Sequence, residues 1–241
     1  MTNYKLSTMY FLFAVLMQPV YAGVNISPVI LEVDAENHVR STTITLHNGV
    51  EDYPRNYELT AYKWTQNEQG EEQLEPSNEL VMNPKTFNLA SGEKQTIRIG
   101  FRQAIEKMNI QDEQSWRILF QEIPTPLTAN GIQVSVDMSI PLFVTAKPNE
   151  KAPNLGAEII QNAGQISQLK IINQNDVHIK TMGITVVDTN EKTVAQYDSM
   201  KYILAHKSFA FDLGNIKSSK NLKAIVKVDQ IVEPLIIHIN E

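Results

Sequence analysis

Between Gly131 and Phe143 the chain reads Gly-Ile-Gln-Val-Ser-Val-Asp-Met-Ser-Ile-Pro-Leu-Phe, with Ile132, Val134, Val136, Met138 and Ile140 at every second position. Period-2 alternation carried largely by β-branched residues is the signature of a strand with one apolar and one polar face. Two details constrain it further. Pro141 cannot donate to a ladder, which suits an edge strand or a strand end. No lysine or arginine falls between Asn130 and Thr145, so no cation guards the edge against pairing with another chain. Either its own sheet covers this strand on both sides, or pairing with another chain is its purpose.

The remainder of the chain follows the same period. Val24–Val33, with Pro28 inside it, reads as an extended run with an edge or bulge. Further strands are expected over Ser41–His47, Tyr57–Trp64, Thr86–Leu89, Lys94–Phe101 and Ser115–Ile123, giving seven with the Gly131–Phe143 run. Gln66–Asn83 is polar and acidic and reads as a loop with room for a short edge strand. Ile105–Asp112 is irregular, with one helical turn at most. Ala146–Pro153 is polar, holds two prolines and has no apolar period, as a linker would. A second set of strands follows over Gln165–Asn173, His178–Val187, Ser199–Leu204, Ser208–Leu213, Leu222–Val228 and Leu235–Ile239. No segment supports a helix longer than two turns. The fold class is therefore all-β, with strand spacings that suit sandwiches.

At the N-terminus, Lys5 precedes the apolar run Met9–Met17, and Val20-Tyr21-Ala22 forms a small-x-small site. This is the pattern of a secretory signal over residues 1–22, too short in its apolar part to span a bilayer comfortably. Its form suits bacterial export to the periplasm. Without those residues the chain carries 20 basic and 27 acidic side chains, a net charge of −7. Such a balance speaks against nucleic acid or an anionic lipid surface as partner. There are no cysteines, so the core alone must hold an exported chain, and thiolate chemistry is excluded.

The residues that carry catalysis elsewhere are missing in pattern. His38, His47, His178, His206 and His238 stand singly, and no H-E-x-x-H, G-x-S-x-G, phosphate-binding loop or G-x-G-x-x-G occurs. Neither an enzyme, a metal site, a cofactor nor a small-molecule substrate is expected. Two cations do stand out, Arg98 in Thr-Ile-Arg-Ile-Gly and Arg117 in Ser-Trp-Arg-Ile-Leu, each interrupting an apolar strand. An arginine in a strand is commonly a solvated outward residue. The sharper expectation is that both line a cleft and receive a carboxylate, which a planar guanidinium can bind through two parallel hydrogen bonds.

These features converge on a resemblance. The chain resembles the periplasmic pilus (fimbrial) chaperones, the PapD-like family, over essentially its whole length after residue 22. Ile26-Ser27-Pro28 before an apolar strand is similar to that family's opening Ser-Pro motif, and Ser41–Asn48 to its second strand, which ends in Asn. Pro84–Phe87, Leu89 and Gly92-Glu93-Lys94-Gln95-Thr96-Ile97-Arg98 resemble its Pro…Leu-x-Pro-Gly…Ile/Val-Arg segment. Gln114–Ile118 and Glu122-Ile123-Pro124 resemble its Glu-Ile-Pro strand. Gly164–Asn173, His178, Met182–Asp188 and Tyr202-Ile203-Leu204 resemble its second sandwich.

The resemblance implies two immunoglobulin-like β-sandwiches set at an angle with a cleft between them. The expected parts are a signal over 1–22, a first domain over 23–145 carrying the donor strand, a linker over 146–153 and a second domain over 154–241. It implies a chaperone that captures pilus subunits lacking their last strand, lends them its seventh strand, and delivers them to an outer-membrane usher. Ile132, Val134, Val136 and Met138 would then fill the subunit's groove. Self-association through the same edge is open to the free protein. In the best-known branch, an arginine on the first strand and a lysine near the end of the seventh hold the subunit's C-terminal carboxylate. The matching positions here are Ile30 and Pro141, which points to a divergent branch such as the archaic chaperones. Arg98 and Arg117 are the expected substitutes, with Lys147 a weaker third. The alternative reading is a structural two-domain immunoglobulin-like adhesin or a pilus component.

Overall fold

The computed structural model describes residues 23–50, 53–124, 134–146, 152–162, 165–217 and 221–239, and the expected signal over 1–22 lies outside them. Among the described residues the chain is all β apart from one 3-10 turn, Ile105–Lys107.

Among the described residues the first sandwich uses ten strands. One sheet has the order β1 (Val24–Ser27), β3 (Ser41–Asn48), β8 (Lys94–Phe101), β6 (Leu80–Asn83). The other has the order β2 (Leu31–Asp34), β10 (Met138–Thr145), β9 (Gln114–Ile123), β4 (Arg55–Gln66), β5 (Glu72–Pro76), with β7 (Thr86–Leu89) also pairing with β4. The expected single run Val24–Val33 is two strands. The chain leaves one sheet after Ser27, passes Pro28, and joins the other at Leu31. Gln66–Asn83, expected as mostly loop, supplies both β5 and β6.

Alternation builds the core between these sheets. Ile44 and Leu46 of β3, Ile97 and Ile99 of β8, Leu59 and Ala61 of β4, and Trp116, Ile118 and Phe120 of β9 all turn inward. Ile140, Leu142 and Val144 of β10 join them. Asn48 closes the end of β3. It is fully buried, and its side-chain amide donates to the carbonyls of Tyr53, Leu89 and Ala90. Buried polar groups must be paired in this way to be tolerated.

The second sandwich stacks the sheet β11 (Leu155–Asn162), β12 (Gln165–Asn173), β16 (Ser208–Lys217) on the sheet β14 (Thr193–Tyr197), β13 (Ile179–Val187), β17 (Leu222–Val228), β18 (Leu235–Ile239). β15 (Lys201–Ile203) pairs with β13. Its core holds Leu169, Ile171, Ile184, Val186, Phe211, Ala224 and Val226 among others. Asn173 repeats at the end of β12 what Asn48 does at the end of β3, donating to the carbonyls of Val177, Ile203 and Leu204.

Candidate functional site

The site begins with an unequal strand. β10 runs antiparallel to β9 from Met138, opposite Phe120, to Val144, opposite Gln114. β2 joins on its other flank only from Leu142, in parallel register with Leu31. Met138–Pro141 therefore has a ladder partner on one side alone among the described residues. Pro141, opposite Arg117, stands just before β2 begins. That is a place where a residue without an N–H is tolerated.

Ahead of Met138, the described residues Val134–Asp137 are not in a ladder. Among the described residues, the strand expected from Gly131 starts at Met138. Val134 and Val136 are 66% and 52% exposed, so two large apolar side chains meet solvent side by side on an extended segment. Met138 instead packs against the first core. Ile132 lies outside the described residues.

Side chains hold Val134–Asp137 where the ladder stops. Glu122, at the end of β9, accepts the Val136 N–H on Oε2 at 3.1 Å. The same oxygen meets Arg55 Nη1 at 2.8 Å, in an ion pair whose side chains are 1% and 11% exposed. The Glu122 N–H donates to Asp137 Oδ1 at 3.0 Å, and the Tyr53 hydroxyl donates to the Val134 carbonyl at 3.2 Å. Tyr57 lies beside this group, and burial, reinforced by the Glu122 charge, pushes its phenol up to about 12.

The other end of the site faces the second sandwich. Trp64 of β4 and Phe143 of β10 point out of the first sandwich and pack with Tyr202, Leu204 and Ile30. The His178 ring stacks on Phe143, centroids 3.7 Å apart, while its Nδ1 meets Glu113 Oε1 at 2.9 Å. Gln66 spans the seam: its Nε2 donates to the Tyr202 carbonyl and its Oε1 accepts the Leu204 N–H, both at 2.9 Å. Alongside lies a cleft of about 790 Å³, lined by Ile30, Phe143, His178, Lys180, Asp229 and others from both sandwiches.

The sequence profile described as "Pili and flagellar-assembly chaperone, PapD N-terminal domain" matches residues 23–150, more than half the chain. The chain belongs to this family. The fold agrees across its length. A chain in the crystal structure of the CsuC–CsuE chaperone–tip subunit pre-assembly complex, from archaic Csu pili of Acinetobacter baumannii, is similar at TM-score 0.66 and 18% identity. That match covers 91% of this chain and 99% of the other. The YadV chaperone matches at TM-score 0.63 and 13% identity, over 89% and 96% of the two chains. The Salmonella enterica SafA pilin–SafB chaperone complex contains a chain matching at 0.60 and 14%, over 90% and 95%. No curated protein sequence matches the chain.

In this chain the two arginines expected to share a carboxylate do not come together. Arg98 sits on β8 between the inward Ile97 and Ile99, so it points away from the core on the outer face of one sheet, where its Nε donates to Ser41 Oγ at 3.0 Å. Arg117 sits on β9 between the inward Trp116 and Ile118, so it points out of the opposite sheet. Its guanidinium lies 3.7 Å over the Trp64 ring and meets Glu72 Oε1 at 3.0 Å. The cause is parity: equivalent outward positions on facing sheets diverge. Lys147 lies outside the described residues. Ile30, at the position where the resemblance would place a cation, packs into the apolar seam.

Sequence reading also missed one side-chain group. Asp112, Asp176 and His206 present ligand-type atoms within 4.8 Å of one another at the exposed rim of the seam. His206 Nε2 lies 3.1 Å from Asp176 Oδ1 and 3.7 Å from Asp112 Oδ1.

Proposed function

We propose that this protein is a periplasmic chaperone that captures pilus subunits by lending them the segment around Val134 and Val136, then hands them to an outer-membrane usher. The observation that supports this most is the open flank. An extended segment with two exposed valines leads directly into a strand whose outer edge, over Met138–Pro141, has no ladder partner among the described residues. A guest strand can pair along such an edge, its main chain giving affinity and the valines entering its groove. Each valine fully buried contributes about 1.5 kcal/mol before ordering costs are subtracted.

Arg117 is the better of the two arginines for the carboxylate role. It faces Pro141 across the ladder, on the outer face of the sheet beside the seam. A guest ending near the cleft would find this cation on the strand next to the one where the resemblance places a lysine. Arg98 is on the far sheet and is not retained.

The test is co-expression with a subunit and recovery of the complex from periplasmic extract. Val134→Asp and Val136→Asp are expected to fold normally by circular dichroism and to lose the subunit. If either variant fails to fold, the segment belongs to the protein's own core and the proposal fails. Arg117→Ala is expected to reduce subunit recovery and Arg98→Ala to leave it unchanged. Full recovery with Arg117→Ala removes the carboxylate role. Appearance of the wild-type chain in sheared surface fractions, with no subunit bound, supports the adhesin reading instead.

A further inference from the structure

The ladder between β9 and β10 stops at the pair Met138–Phe120; carried two residues further, the same register would set Val136 opposite Glu122. There the backbone partner is replaced by a side chain, with the Glu122 carboxylate accepting the Val136 N–H while the Glu122 N–H is taken by Asp137. Glu122 occupies an inward position on β9, in step with Ile118 and Phe120. A carboxylate there needs compensation, and Arg55 supplies it. The Tyr53 hydroxyl secures the Val134 carbonyl two residues upstream.

We propose that Tyr53, Arg55, Glu122 and Asp137 form a clasp that positions the capture segment. The clasp binds only the side of the segment that faces its own sheet. In an extended chain, successive residues turn their N–H and C=O groups to opposite sides, so pinning Val134 and Val136 leaves the groups of Ser135 for a guest. A guest can therefore dock without breaking the clasp, and the segment arrives already extended. The ordering cost of capture is lowered in advance. This inference rests on the capture reading above, and it names residues that set the register rather than residues that touch the guest.

The experiment has two arms. In the free chaperone, amide exchange of Val136 is followed by NMR in Asp137→Ala, Asp137→Asn, Tyr53→Phe and Glu122→Gln. Asp137→Asn keeps an acceptor oxygen for the Glu122 N–H and is expected to retain protection at Val136. Asp137→Ala and Tyr53→Phe are expected to accelerate its exchange at least ten-fold at unchanged melting temperature. Glu122→Gln removes the carboxylate of the buried ion pair with Arg55 and is read only if it folds; the two exposed-side variants carry the test otherwise. In the second arm, association with a purified subunit is timed. Asp137→Ala is expected to be at least five-fold slower than wild type, with Asp137→Asn restoring the rate. Unchanged exchange at Val136 overturns the clasp, and faster capture by Asp137→Ala overturns it as an aid to docking. A wild-type protein that captures no subunit refutes the capture reading, while the exchange arm still reports on the clasp.

Discussion

The run from Val134 to Val144 keeps one alternation, and its two ends meet opposite fates. Ile140, Leu142 and Val144 are sealed in the first core, while Val134 and Val136, on the same parity, are largely exposed. The difference lies in what surrounds them. Among the described residues Met138–Val144 is in the ladder with β9 and is joined by β2 from Leu142, whereas Val134–Asp137 lies in no ladder and is held by side-chain hydrogen bonds. Periodicity reports which residues share a face. Whether that face is covered depends on strands distant in sequence.

This contrast can be broken or sharpened by measurement. The largest expected effect is at the covered end: Leu142→Ala should cost about 2–5 kcal/mol in urea unfolding, because it removes a fully buried side chain from between two sheets. A loss below 1 kcal/mol would mean that this end is as open as the other. Next is Gln66→Ala at the seam that the covered end adjoins. It leaves the Tyr202 carbonyl and Leu204 N–H without their partner, at about 1–3 kcal/mol, and should split a single unfolding transition into two. A single unshifted transition would show that the seam does not couple the sandwiches.

A smaller effect is tied to pH. Lys63 points inward at the end of β4, with its ammonium 3.6 Å over the Trp116 ring, and burial lowers its pKa to about 8, opposed by Glu79. Its folded value lies below its unfolded one, so between pH 8 and 10 the unfolded chain binds more protons and stability rises with pH. Above pH 10 the buried Tyr57 acts in the opposite direction, since its folded value is the higher. Stability measured from pH 8 to 10 should climb in the wild type and flatten in Lys63→Met. Equal slopes would place the ammonium in water. The smallest effect is at the open end, where Val134→Asp should change stability by no more than about 0.5 kcal/mol.

Much of the fold was legible. Leu222–Val228 and Leu235–Ile239 lie where alternation places them, and the all-β class follows from it. β5 was legible only as room for a short edge strand within Gln66–Asn83, because all five of its residues are exposed and no apolar face fixes its bounds. β11 was hidden by an irregular pairing between Ile160 and Gln161 that disturbs its period. At the site, sequence reading named the valines but not what holds them. Glu122 did give a signal: it continues the inward parity of Ile118 and Phe120, and a carboxylate on that parity demands a cation. Arg55, sixty-seven residues earlier, could be assigned to it only once β4 was laid beside β9. The arginine pair failed for a related reason, since only the sheet order reveals that Arg98 and Arg117 face away from each other.

Phe143, stacked on His178, and Met138, where the open edge begins, lie on one continuous strand, about 17 Å apart at 3.4 Å per residue. A pull along the strand axis on anything paired to that edge loads the β9–β10 ladder in shear, so its bonds share the load rather than peel in turn. The same tension reaches the joint between the sandwiches, and a bound chain tugged from outside would be felt there mechanically.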